Sequence, residues 1–162
     1  MDGIYLLLGT NLGNKPLNLQ RGKTGVEELM GAIIKQSSVY RTAAWGIENQ
    51  HSFLNQVVKI KSELSPEQIL EKIFMIEKSM GRVRQGKWSE RIIDIDLLYY
   101  YDRIIDTHQL QVPHRELQNR NFTLVPLVEI AANEIHPVFH KTQKELHKLC
   151  KDRLEVVSLT GK

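Results

Sequence analysis

Cysteine is almost absent from this chain. Cys150 is the only one, so no internal disulfide can form. That excludes the disulfide-stapled secreted scaffolds and fits a reducing compartment. Long apolar runs are absent too, and nothing approaches the roughly 20 residues of a membrane-spanning helix. Ile4-Tyr5-Leu6-Leu7-Leu8 is too short for a secretion signal, has no basic residue before it, and runs into polar Gly9-Thr10-Asn11. A cytoplasmic protein with no membrane partner is expected. An excess of one charge is also missing: the net charge is +3, which suits an anionic small molecule and argues little for nucleic acid. No Gly-Lys-Ser/Thr follows Gly9-Thr10-Asn11-Leu12-Gly13, so this turn is not a P-loop. No Ser-His-Asp constellation is identifiable from spacing, and Cys150 has no activating context. Repeats, low-complexity stretches and linkers are lacking as well. A chain of 162 residues, 41% hydrophobic, therefore reads as one domain spanning 1–162.

What is present centres on Trp88-Ser89-Glu90-Arg91-Ile92-Ile93-Asp94-Ile95-Asp96-Leu97-Leu98. The second half is β-branched and aliphatic, hence a strand. Side chains on a strand alternate, so Asp94 and Asp96 share a face with Cα atoms roughly 7 Å apart. Ile93, Ile95 and Leu97 keep the other face for the core. Two like charges this close are costly unless a cation sits between them. Mg²⁺, which takes one or two carboxylates plus substrate phosphates, is the natural candidate. Arg82, Arg84, Lys87 and Arg91 lie just upstream and suit phosphate oxygens. Metal carboxylates beside phosphate-binding arginines point to phosphoryl transfer from a nucleotide. The bland alternative is a pair of solvated aspartates on an edge strand with arginines as surface partners.

The rest of the chain supplies a frame. A strand at about 4–8, apolar on both faces, leads through the small-polar turn to a helix. Asn14 can cap that helix, and Leu19, Val26, Leu29 and Met30 share one face, although Gly22 and Gly25 interrupt it. Strands at about 33–42 and 53–62 are expected to pair antiparallel across a long loop. Ser65-Pro66-Glu67-Gln68 starts a second helix with a capping box, Ile69, Ile73, Ile76 and Met80 face the core, and Gly81 ends it. The order β-α-β-β-α-β, with both helices on one side of an antiparallel sheet, is the α+β ferredoxin-like arrangement. C-terminal additions follow: a short strand at 104–105, helices at about 124–132 and 142–151, and a last strand near 156–159.

Other residues have chemical potential. Trp45, Phe53 and Asn55 flank the long loop, and aromatics beside one amide can sandwich a flat heterocycle and read its edge. Phe122 is a third stacking candidate. Their alternative is a place in the core. His114 and Arg120 can both reach phosphate, or His114 can be an ordinary surface histidine. Glu77 either fixes the arginine loop or is exposed. His136 and His140 are four apart but separated by Pro137, so no helix aligns them for zinc.

Several of these segments together resemble one family over nearly the whole chain. They are Leu8-Gly9-Thr10-Asn11-Leu12-Gly13, Tyr40-Arg41-Thr42, Phe53-Leu54-Asn55, Gly81-Arg82-Val83-Arg84, Arg91-Ile92-Ile93-Asp94-Ile95-Asp96, Val112-Pro113-His114 and Asn119-Arg120-Asn121-Phe122. The family is the 6-hydroxymethyl-7,8-dihydropterin pyrophosphokinases of folate biosynthesis. The resemblance implies a ferredoxin-like fold and transfer of diphosphate from ATP to a pterin hydroxymethyl group, leaving AMP. It implies that Asp94 and Asp96 hold two Mg²⁺ ions, and that Arg82 and Arg84 belong to a mobile loop closing over the triphosphate, with Trp88 covering the substrates. Arg91, His114 and Arg120 are implied as a phosphate clamp, and Glu77 as a neighbour of the nucleotide. Thr42, Phe53, Asn55 and Phe122 are implied as the pterin pocket, with Trp45 as an apolar wall. Ser89, Glu90, Ala43 and Ala44 depart from the family's usual residues. Monomeric action without nucleic acid is expected, and no residues are left over for a fused neighbour enzyme. Two other classes share the fold, RNA-binding domains and regulatory ligand modules. The strand Asn55-Gln56-Val57-Val58-Lys59-Ile60 offers no aromatics for RNA bases, and neither class needs paired metal carboxylates.

Overall fold

The computed structural model describes residues 1–43, 51–81 and 91–159. β1 (Ile4–Thr10) is buried at every residue. A strand apolar on both sides needs cover on both, and β1 lies between β4 (Phe53–Ile60) and β5 (Asp94–Tyr100), antiparallel to each. Beyond β4 come β3 (Tyr40–Thr42) and then β8 (Val156–Ser158), while β2 (Ile33–Gln36) pairs with the other end of β4. β6 (Ile105–Asp106) and β7 (Gln111–Val112) form a separate small ribbon.

One face of the sheet is covered by α1 (Lys15–Leu29) and α2 (Pro66–Ser79), which close over Leu6, Leu8, Val58, Ile93, Ile95 and Leu97. The other face receives α3 (Asn121–Ala131) and α4 (Gln143–Leu149) against Tyr5, Leu7, Val57, Leu98 and Tyr99. The first six-element frame is the expected ferredoxin-like one, and the C-terminal helices are additions to its second face. The expected capping box of α2 is present at Ser65 and Gln68, Ile69, Ile73 and Ile76 are buried, and Gly81 takes the left-handed backbone (φ 82°) that ends the helix. Asn14 caps α1 as expected, its side chain accepting from Leu17 N.

Three expectations change. The strand expected at 33–42 is two strands. One more residue lies between Gln36 and Tyr40 than between their partners Val58 and Asn55. Ser37 spans the break: its N–H donates to Val57 O, and its hydroxyl accepts from Val57 N. Leu29 is exposed rather than on the buried face of α1 with Leu19, Val26 and Met30. The two glycines of α1 are packing devices. A Cβ on Gly22 would lie 3.0 Å from Ile93 Cδ1, and one on Gly25 3.1 Å from Ile76, so they let α1 approach both sheet and α2 closely.

Candidate active site

On the α3 side of the sheet the strands change character along their length. β1 runs from Tyr5 and Leu7, buried under α3 and α4, to Gly9. In parallel β5 runs from Leu98 to Asp96 and Asp94, and β4 from Val57 to Asn55 and Phe53. Asp94 pairs with Gly9 across one ladder and Gly9 with Asn55 across the next. The acid pair and the amide are therefore two strand spacings apart, about 10 Å.

Asp94 and Asp96 share this face, as alternation requires, while Ile93, Ile95 and Leu97 are buried on the other. Both carboxylates are partly exposed. The cation expected between like charges is supplied in part by Arg91, whose Nη1 lies 2.6 Å from Asp94 Oδ2. Arg91 is held through its backbone. Its N–H donates to Asn11 Oδ1 (2.8 Å), and Asn11 N–H donates back to Arg91 O (3.2 Å). Asn11 is buried, and Asn18 secures the same turn by donating to Leu12 O at 2.8 Å. Sequence reasoning gave Asn11 no role of its own. The available signal was a small polar turn ending the central strand, directly beside the acid-bearing one.

Glu77 is not exposed, and the arginine loop that it was expected to fix or leave alone lies outside the described residues. Glu77 is buried, and its Oε1 accepts from the N–H of Ile95 (3.0 Å), the residue between the two aspartates. It braces β5 along the edge away from β1. His114 is set by its own neighbours: its N–H donates to Leu98 O, and its Nδ1 accepts from Glu116 N (3.2 Å). That acceptance assigns the proton to Nε2, which lies 4.0 Å from Asp96 Oδ2. The ring thus presents a donor beside the acid pair.

The heterocycle candidates gather on the next strands. Asn55 Nδ2 donates to Thr42 Oγ1 at 2.8 Å, and both residues are buried. A Cβ on Gly9 would stand 2.9 Å from Asn55 Oδ1, so the amide oxygen lies against bare backbone. Phe53 pairs with Thr42 across the ladder and is only partly buried. Phe122, in the first turn of α3, packs on the core of the same face, with the Arg120 guanidinium 5.7 Å from its ring centre. Trp45, Arg82, Arg84 and Trp88 lie outside the described residues.

Two carboxylates of one strand face are hard oxygen donors and suit Mg²⁺, which completes its shell with water and phosphate. Among the described residues no group of three or more His, Cys, Asp or Glu is placed to hold a metal by itself. His136 serves another purpose. It is buried, its Nδ1 accepts from Val138 and Phe139 N–H, and burial first, then the N-terminal amine and His140, push its pKa down to about 4.

The family model described as 7,8-dihydro-6-hydroxymethylpterin-pyrophosphokinase (HPPK) matches residues 5–132. The chain is 45% identical over 145 residues to a 2-amino-4-hydroxy-6-hydroxymethyldihydropteridine pyrophosphokinase of Aquifex aeolicus, covering 90% of both. It is 37% identical over 134 residues to a protein of the same description from Haemophilus influenzae, covering 82% of this chain and 84% of the relative. In structure it is similar to wild-type Plasmodium falciparum HPPK-DHPS, with a TM-score of 0.73 at 19% identity. That alignment covers 92% of this chain and 43% of the Plasmodium chain, and it speaks for the fold. No helix among the described residues is long and apolar enough to cross a membrane.

Proposed function

Because the chain belongs to the 7,8-dihydro-6-hydroxymethylpterin pyrophosphokinase family, we propose how its residues divide the labour of that enzyme. The activity is an ATP-dependent diphosphate transfer in folate biosynthesis. The hydroxymethyl oxygen of 6-hydroxymethyl-7,8-dihydropterin bonds to the β-phosphorus of ATP and gives up its proton to solvent. The bond from that phosphorus to the α–β bridging oxygen breaks, and AMP leaves.

In our reading the pterin ring stacks on Phe53 and Phe122 with Trp45 as an apolar wall, and Asn55, oriented by Thr42, reads its edge. The hydroxymethyl arm then extends across Gly9 toward β5. Arg91, His114 and Arg120 grip the triphosphate, Arg91 by exchanging Asp94 for phosphate and His114 by donating from Nε2. Arg82, Arg84 and Trp88 complete the enclosure, and Glu77 acts near the nucleotide by holding β5 in place. Asp94 and Asp96 would hold two Mg²⁺ ions, and bound there the ions would supply positive charge against the triphosphate. The protein's own contribution is positioning and water exclusion. The observation that carries this reading is the register that sets Asp94, Gly9 and Asn55 abreast on one face of the sheet.

The rest of the proposal is a single catalytic domain acting as a cytoplasmic monomer without nucleic acid. A near-balanced charge and a single, buried cysteine support it. The deciding experiment separates nucleotides after incubation with Mg-ATP and the reduced hydroxymethylpterin. AMP should form one-for-one with the pterin diphosphate and stop in chelator. Stoichiometric ADP, or turnover indifferent to chelator, overturns the reading.

A further inference from the structure

We infer that the C-terminal run 152–158 is a positioning element of the pterin site, with Asp152 as its critical residue. The inference rests on the reading of Thr42 and Phe122 as pterin contacts. It begins with a deficiency in α3. The helix opens at Asn121 with no side-chain cap from Arg120 and no acidic residue in its first turn. Such an end leaves backbone N–H groups in need of acceptors. Asp152 supplies one from thirty-one residues away: its Oδ2 accepts from Asn121 N at 2.9 Å. Its Oδ1 accepts from Leu154 N at 3.0 Å, which fixes the carboxylate's orientation. A carboxylate at a helix N-terminus also meets the favourable end of the macrodipole.

The Asn121 side chain is taken up by the same region. Its Nδ2 donates to Leu154 O at 3.0 Å, and its Oδ1 lies 3.1 Å from His147 Nε2 of α4. Asn121 is thus clamped from three sides, and its chain neighbours are Arg120 and Phe122. Two residues after Leu154 the chain enters β8, where Val156 pairs with Thr42 and Ser158 with Tyr40; Leu159 N then donates to Val39 O. One short strap therefore joins the helix that carries Phe122 to the strand that carries Thr42. These two walls come from distant parts of the sequence, and the strap limits how far they can part. Asp152 touches neither substrate in this arrangement. It acts through Asn121.

The test compares Asp152→Ala with Asp152→Asn, using intrinsic pterin fluorescence to read affinity well below each protein's melting temperature. Losing a helix cap of this kind should weaken pterin binding roughly fivefold. Asn keeps one acceptor oxygen, enough for Asn121 N–H but not for Leu154 N–H as well, and should bind the pterin with an affinity between those of Asp152→Ala and wild type. His147→Ala leaves the cap but frees Asn121 Oδ1, and it serves if Asp152→Ala does not fold; a loss of about threefold is expected. A cap of purely structural value lowers the melting temperature and leaves affinity unchanged. Wild-type affinity in Asp152→Ala, or in His147→Ala where it is the substitute, overturns the inference while the site reading stands. A wild-type protein that does not bind the pterin overturns both.

Discussion

The two faces of this sheet are built by the same strands yet treat their residues differently. Toward α1 and α2 the inward positions of β1 and β5 are apolar until the last residue of β1, where buried Thr10 meets Asn18 of α1. Toward α3 and α4 the apolar set stops halfway, and the same strands continue with Gly9, Asp94 and Asp96. The first face is a core in the ordinary sense, where the few polar groups, Glu77 and Thr10 among them, are buried with hydrogen-bond partners. The second is a core that ends early, and where it ends the backbone carries acids, an amide and a bare glycine. On the proposed reading of the site, side-chain parity separates stability from chemistry, and adjacent residues of β5 should answer to different assays.

Asp96 and Ile95 test that separation most severely. Asp96→Asn keeps shape but is a far poorer Mg²⁺ ligand, so turnover should fall about a thousandfold. Melting in chelator should move little or upward, since the partly exposed charge no longer repels Asp94. Ile95→Ala should do the reverse. Its buried side chain leaves a cavity costing roughly 2–5 kcal/mol, while turnover per folded molecule stays within about tenfold. A destabilised but active Asp96→Asn protein would sink the metal-site reading. A stable, inactive Ile95→Ala protein would show that parity does not divide the two roles.

The covered half of the second face has its own signature in pH. His136 lies there against Tyr99, ring centres 5.5 Å apart, with its folded pKa lowered from 6.5 to about 4. Between those values the unfolded chain binds more protons, so stability rises with pH. The contribution is complete above about 6.5 and is lost as pH falls toward 4, by roughly 2–3 kcal/mol at the acid end. Urea unfolding at pH 7.5 and 4.5 should show that loss in the wild type and a smaller one in His136→Gln. Equal losses would mean that His136 is protonated without cost in the folded state.

Much of this division was legible in the sequence because it depends on periodicity. Alternation put Asp94 and Asp96 on one face and Ile93, Ile95 and Leu97 on the other, and the capping box at Ser65 announced α2. What escaped depends on contacts between distant segments. Nothing local to Glu77 says that its carboxylate turns inward to Ile95 N. Nothing near Ser37 says that its hydroxyl replaces a rung of the ladder. Asn11 reads as a turn residue until β5 is brought alongside and Arg91 arrives within its reach. The glycines of α1 weaken a helix by propensity, and only the approach of Ile76 and Ile93 explains them.

Glycines also allow the finest comparison, because one substitution can be placed in either region. Gly22→Ala sets a methyl 3.0 Å from Ile93 Cδ1 and 3.2 Å from Leu8 Cδ2, between α1 and the sheet. The helix gains propensity but must move off the sheet, so a net loss of about 1 kcal/mol in stability is expected, with substrate KM values unchanged. Gly9→Ala sets its methyl 2.9 Å from Asn55 Oδ1 on the α3 face. The amide is the far end of a side chain and can yield, but it is held at 2.8 Å by Thr42, so yielding disturbs that hydrogen bond. A displaced amide no longer meets the edge of the heterocycle squarely. KM for the pterin should rise roughly fivefold, the worth of about one neutral hydrogen bond, while KM for ATP and the melting temperature stay close to wild type. A rise confined to ATP would place the nucleotide, not the pterin, against Asn55.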